Sequence, residues 1–262
     1  MTILEHLEEL RSRLIKILIA AGVGFCVGYY YSGPIFTFLK KPLVRALADA
    51  KIKSLSQDLI YTGLTEAFFT YLKVGLIAGI FIASPFILYQ IWSFVSPGLY
   101  KKERGILVPV TVVSFFLFVG GAAFAYFVVF PAGFKVLISI TKTTGEVPLI
   151  KMQEYFSFIM WMLLAFGVSF ELPVVIFLLS RFGIVSYAGL KKFRLYALLG
   201  AFVVGAILTP TGDIFNQALL AVPLFILYEI SIWITFFFGK KKPTAAKNGD
   251  EATTVTTPGE EQ

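Results

Sequence analysis

The sequence predicts an all-α membrane protein with six transmembrane helices, and three observations carry that reading. Of its 262 residues 57% are hydrophobic and only 15% charged, with a mean hydropathy of +0.81; so much apolar surface needs the bilayer as solvent. Apolar runs longer than about 17 residues recur along the chain, and roughly 20 residues at 1.5 Å rise cover a 30 Å hydrocarbon core. The Lys and Arg residues gather between those runs and form no separate basic domain, which argues against nucleic acid as the partner despite a formal charge of +7.

Taken in order, residues 1–13, MTILEHLEELRSR, form an amphipathic segment in which Ile3, Leu7, Leu10 and Leu14 recur at helical spacing and make one apolar stripe. The first span, about 14–31, follows with no A-x-A-like cleavage site and reads as retained. A long loop, roughly 32–66, leads to the second span at 67–95, and the short connector SPGLYKKER leads to the third at 105–130. A second long loop, 131–153, precedes the fourth span at 155–180; both long loops have room for small caps. The fifth, 195–208, has 14 residues and reaches only about 21 Å. It turns through TPTGD into the sixth, 214–238, so these two form a tight hairpin. Pro85, Pro109, Pro173 and Pro223 interrupt the spans where neighbouring groups can satisfy the freed carbonyls. Gly24 with Gly28, and Gly121 with Ala125, offer close helix contacts. The domain division is thus an N-terminal segment 1–13, a transmembrane domain 14–239 and a polar tail 240–262 whose composition predicts disorder.

Six spans put both termini on one side. That side holds fourteen of the 23 basic residues: Arg11, Arg13, Lys16, Lys101, Lys102, Arg104, Arg181, Lys191, Lys192, Arg194, Lys240, Lys241, Lys242 and Lys247. The bias predicts an N-in/C-in topology, against the pull of Lys40, Lys41, Arg45, Lys51 and Lys53 in the first long loop.

Enzyme readings fail early. His6 is the only histidine, so an intramembrane Ser/His dyad has no base, HExxH is absent, and no pair of aspartates lies within the spans. A single cysteine, Cys26, provides neither a disulfide framework nor a metal cluster. The expectation is no catalytic residue, no metal and no cofactor. Polar residues remain in three places. Glu5, Glu8, Glu9, Arg11 and Arg13 share the circumference of the N-terminal segment, where Glu9 and Arg13 are an i,i+4 pair of the solvated kind, worth about 0.2–0.5 kcal/mol. Glu103 lies among Lys101, Lys102 and Arg104 on the same membrane face as Glu9, and two acceptors there suit the planar, bidentate geometry of guanidinium groups. Within the membrane lie Glu171 in span four and Glu229 in span six, with Thr209, Asp213 and Gln217 at the hairpin; such residues face a bundle interior or a wet cavity.

The blocks EHLEELRSRL, SPFILYQIWSFVSPGLYKKER, AFGVSFELPV and LTPTGDIFNQALLAVPLFILYE, in that order between about residues 3 and 238, resemble the TatC family, the multispanning subunit of the twin-arginine protein translocase. The resemblance implies a cup-shaped bundle of six helices with short fifth and sixth members, in the inner membrane of a prokaryote. It implies a receptor for folded precursors bearing twin-arginine signal peptides. Such a receptor assembles with TatA- and TatB-type single-span partners, is homo-oligomeric within the complex and contacts membrane lipid. Transport then draws on the protonmotive force without nucleotide, and no Walker motif is present.

By position, Glu9 and Glu103 match the family's signal-peptide-binding carboxylates, with Arg11 and Phe94 in the same blocks. Glu171 matches its intramembrane glutamate, Pro42 a proline of the first outer loop, and Thr209 and Gln217 the patch that meets a partner helix. TPTGD departs from the shorter TPPD-like turn, which bears on Asp213, and TGLTEAFFTYLK departs from a Ser-Pro-containing version. Two rival readings stand beside this one. The first is a proton-coupled secondary transporter of a small solute relaying protons through Glu171 and Glu229, although the two halves show no inverted repeat. The second is a scaffold that only organises other membrane proteins.

Overall fold

The computed structural model describes residues 3–49, 59–60, 63–95, 105–144, 150–208 and 214–238. Ten α-helices occupy them: α1 (Ile3–Tyr30), α2 (Ser32–Asp49), α3 (Leu64–Val95), α4 (Leu107–Phe124), α5 (Phe130–Thr144), α6 (Met152–Phe170), α7 (Leu172–Arg181), α8 (Tyr187–Lys192), α9 (Arg194–Leu208) and α10 (Ile214–Phe238), with a π-helical stretch Ala125–Val129 between α4 and α5. The sole β feature among the described residues is a bridge pairing Ile60 with Lys151. The fold is all-α, and Thr65–Val95, Leu107–Ser139, Met152–Arg181 and Gln217–Phe237 are each long and apolar enough to cross a bilayer, at mean hydropathies of 2.0 to 2.3. A further apolar helix, α9, has 15 residues and spans about 22 Å.

Most of the described residues in the long connections expected at 32–66 and 131–153 are helical. After Tyr30 the chain turns by 76° and continues as α2. The third span does not stop near 130: it passes through the π-helical turn into α5 and runs to Thr144. Pro131 lies two residues after that stretch, and a widened turn accommodates the missing N–H that a regular helix would not. The amphipathic segment and the apolar run that follows it form one continuous helix, α1, from Ile3 to Tyr30.

Close backbone approach sets the main helix contact. A Cβ on Gly24 or Gly28 would run into the backbone of Gly79 or Gly75, and one on Gly79 would strike Phe25 N and Gly24 C. With hydrogen in its place, α1 and α3 pack antiparallel along a seam of small residues, as membrane helices do where no hydrophobic effect draws them together. Gly121 meets the Phe166 carbonyl and the Phe170 side chain in the same manner, joining α4 to α6. The outward faces are apolar, with Leu18, Ile19, Val23, Val108, Phe116 and Trp233 all more than half exposed.

Prolines within helices leave carbonyls without their i+4 donor, and side chains answer them. Pro85 deprives the Phe81 carbonyl, which accepts the Ser84 hydroxyl at 2.7 Å. Pro42, buried inside α2, deprives the Phe38 carbonyl, which accepts the Tyr126 hydroxyl at 2.7 Å, while Tyr155 donates to the next carbonyl, Leu39, at 2.9 Å. The Tyr126 ring also stacks on Phe38 at 4.4 Å. Pro42 is therefore a buried anchor of a helix held against the third and fourth spans, not part of an open loop.

Two outcomes are expected. Gly79→Val overpacks the α1–α3 seam and lowers stability by about 1–3 kcal/mol, measured as a reduced thermal midpoint in detergent. Tyr126→Phe keeps the stacking but strands the Phe38 carbonyl, a loss of about 1 kcal/mol, whereas the same change at exposed Tyr30 leaves the midpoint unchanged.

Candidate functional site

At the end of the bundle that holds the N-terminus, α1 and α3 run side by side and bring together residues far apart in sequence. Between residues 4 and 12 Glu9 alone is not exposed. The apolar stripe instead faces outward, with Leu7 at 55%, Leu10 at 43% and Leu14 at 52% exposure. His6, Glu9 and Arg13 follow the helical repeat along the face of α1 that meets α3. The His6 ring stacks on Phe94 at 4.5 Å, and Arg13 Nη1 donates to Gln90 Oε1 at 3.2 Å. Gln90 and Phe94 are one turn apart on α3, so two cross-helix contacts bracket Glu9.

The Glu9 carboxylate is asymmetric. Its Oε1 accepts both Arg13 Nε at 2.9 Å and Arg13 Nη2 at 2.5 Å. Its Oε2 is buried and has no hydrogen-bond partner among the described residues. The expected solvated i,i+4 pair is thus wrong in kind: both side chains are about four-fifths covered, at 19% and 21% exposure, and one acceptor is unfilled. Arg11 projects away from this face and is exposed. Glu103 lies outside the described residues, as do Thr209 and Asp213.

Glu171 sits where the fourth span breaks. α6 ends at Phe170 and α7 begins at Leu172, because Pro173 near the start of α7 cannot donate to the Ser169 carbonyl. The Glu171 N–H closes the last turn onto Val168 O at 3.1 Å. The side chain is 8% exposed, and neither carboxylate oxygen has a hydrogen-bond partner among the described residues. The neighbouring hydroxyl of Ser114 accepts the Trp92 indole N–H at 2.8 Å. Below the break, Gly183 at φ 74° closes α7, with Ile184 N–H returning to Leu179 O at 3.0 Å.

Glu229 has a different environment from the one expected for an intramembrane acid, since Arg194 Nη2 donates to its Oε2 at 2.6 Å and ties α10 to the first residue of α9. Glu229 is thus an ion-paired, partly exposed acid. Gln217 is engaged within the hairpin: its Nε2 donates to the Phe202 carbonyl at 2.8 Å, and a Cβ on Gly205 would crowd the Gln217 backbone.

The family model for the Sec-independent protein translocase protein (TatC) matches residues 5–223. The TatC protein of Desulforapulum autotrophicum is 46% identical, over 98% of this chain and 96% of its own; that of Escherichia coli K12 is 42% identical, over 91% and 90%. A crystal structure described as the twin arginine translocase receptor TatC superposes with a TM-score of 0.77 at 38% identity, over 88% of this chain and 98% of that one. The chain belongs to the TatC family. It is a multi-pass protein of a bacterial Sec-independent translocase.

Within this TatC-family chain, one residue absent from the sequence reading has a defined task. Glu66 is 5% exposed; its Oε2 accepts the Gly63 N–H at 3.2 Å and its Oε1 accepts the Gln153 N–H at 2.9 Å. One carboxylate so caps the N-termini of both α3 and α6, beside the Ile60–Lys151 bridge, where it also meets two positive helix ends. The Gly63-x-x-Glu66 spacing is that of a capping-box glutamate and was a readable signal for α3, though not for α6. Glu66→Ala strands both donors and is expected to cost about 1–3 kcal/mol, seen as faster proteolysis of the connection before α6 while cleavage near α8 is unchanged.

Proposed function

We propose that this chain is the receptor and core subunit of a twin-arginine translocase, binding the paired arginines of a precursor's signal peptide at the end of the bundle that holds its N-terminus. One observation carries the reading: Glu9 is drawn out of solvent between the His6–Phe94 stack and the Arg13–Gln90 hydrogen bond, with a carboxylate oxygen unfilled among the described residues, where two long helices meet in a TatC-family chain. A half-buried carboxylate of this kind binds a guanidinium by charge-assisted bonds that bulk water does not screen away. Glu103 supplies the second carboxylate, and Phe94 gives an apolar flank to the segment that follows the arginines. Arg11, exposed on the neighbouring face, contacts the remainder of the signal.

In this reading the chain crosses the inner membrane six times: α1, α3, α4 with its continuation, α6 with α7, α9, and α10. Both termini lie in the cytoplasm, in agreement with the bias of Lys and Arg. The subunit assembles with further copies of itself and with TatA- and TatB-type single-span proteins. The region of Thr209, Asp213 and Gln217 receives such a helix, and the shortness of α9 thins the bilayer beside it. Transport is driven by the protonmotive force. Glu171, unpartnered at a broken span, receives a polar group of a partner helix or a proton during transport.

The test is photo-cross-linking from position 94 to a precursor carrying its twin arginines. Glu9→Lys and Glu103→Lys are each expected to abolish the adduct by placing a cation where a cation must bind. Undiminished cross-linking in both variants would reject the receptor site and favour the scaffold reading.

A further inference from the structure

At the end of the bundle away from Glu9, α2 closes over an apolar groove. The groove has a volume of about 390 Å³ between α2, α3, α4, the π-helical stretch and α6, and every residue that lines it has a hydrophobic side chain. Tyr126 carries the one hydroxyl among them, and that group already donates to the Phe38 carbonyl. Phe38, Ile82 and Phe127 form the open rim, at 44%, 49% and 65% exposure. A polar ligand finds nothing in the groove to replace its hydration, whereas a hydrocarbon chain gains close packing. Two cations stand beside this apolar space. Phe38, Lys41 and Arg45 follow the helical repeat along one face of α2. The Phe38 ring stacks on Tyr126 in the groove wall, Lys41 Nζ lies 5.6 Å from the Phe38 ring centroid, and the Arg45 charge acts on Tyr126. Lys41 and Arg45 are both exposed, and neither makes an ion pair among the described residues. Asp49, one turn beyond Arg45, is exposed as well.

We propose that this groove binds one phospholipid of net negative charge, with an acyl chain in the groove and the headgroup phosphate between Lys41 and Arg45. Two observations choose that occupant. The first is the paired charge. A zwitterionic lipid carries the same phosphate, but its ammonium lies a few bonds away and is repelled by the same two cations, so net headgroup charge separates the two lipids. The second is the shape of the groove. Helix α2 turns 76° from α1 and gives Phe38 and Leu39 to the wall, so it lies across the groove's end. An acyl chain can stop there and turn out to its headgroup; a spanning partner helix, about 10–12 Å across, would run into α2. The site is remote from Glu9 and stands whether or not Glu9 binds a signal peptide.

The experiment places the full chain in nanodiscs of phosphatidylcholine that contain a small fraction of one photoactivatable probe. The probe is phosphatidylglycerol, or phosphatidylcholine, with a diazirine in the same acyl chain, and adducts are located by peptide mass spectrometry. Phosphatidylglycerol is expected to label the groove residues of α3 and α4 about tenfold more than phosphatidylcholine does, the scale set by two surface cations. Lys41→Gln combined with Arg45→Gln brings that label down to the phosphatidylcholine level. Ala123→Phe fills the groove, leaves both cations in place and removes the label of both probes. Equal labelling by the two probes in the unaltered chain, or a preference that survives the double change, means that the groove holds bulk lipid only and overturns the proposal. Label that persists in Ala123→Phe puts the acyl chain elsewhere, and absence of label from the unaltered chain means that protein fills the groove; either result also overturns it. The double variant changes only exposed side chains, so it decides the case even if Ala123→Phe lowers the thermal midpoint.

Discussion

Four glycines let α1 and α3 meet backbone to backbone, and the rest of the molecule is arranged around that contact. Side chains at Gly24, Gly28, Gly75 and Gly79 would overlap the facing helix. In a solvent as apolar as the side chains themselves, such close approach supplies the dispersion that hydrophobic burial supplies in water. It also has a chemical consequence. With the two axes fixed, the N-terminal turns of α1 lie against the last turns of α3, and Glu9 loses the water that would otherwise solvate it.

A second constraint comes from the helix breaks. Without water, a carbonyl freed by proline must find another donor. Here the donor is local at Pro85, where Ser84 lies next in the chain, and distant at Pro42, where Tyr126 and Tyr155 come from other spans. The distant solution does more than repair a helix: it fastens α2 to the membrane bundle. Glu66 acts likewise at its own level, binding the first turns of α3 and α6 with one carboxylate.

The acids drawn wholly or partly out of solvent fall into separate physical states, and those states assign their roles. Glu66 is saturated by backbone N–H groups and is structural. Glu229 is neutralised by Arg194 and braces the α9–α10 hairpin. Glu171 is buried at a broken span with no hydrogen-bond partner among the described residues, and Glu9 is half-filled by an arginine of its own helix. Unmet acceptors in a low-dielectric setting are costly to maintain, which is why the last two are the ones to which ligand chemistry is attributed.

Much of this was written into the sequence. Run length picks out the long apolar helices, and Gly24 with Gly28 announces a close helix contact, because both follow from local composition and the 3.6-residue repeat. The break at Glu171 is legible too, since Pro173 cannot continue a regular ladder. The helical nature of 32–49 and 130–144 was not, because each holds a proline, and only the hydroxyl of Tyr126 at Pro42 and the widened turn before Pro131 let the helices run through. Nor was the pairing of Glu9: an i,i+4 acid and base beside a span looks solvated in one dimension. Only the packing of α3, with Gln90 and Phe94 arriving from about eighty residues away, turned that pair inward, and burial is a property of the neighbours and not of the residue.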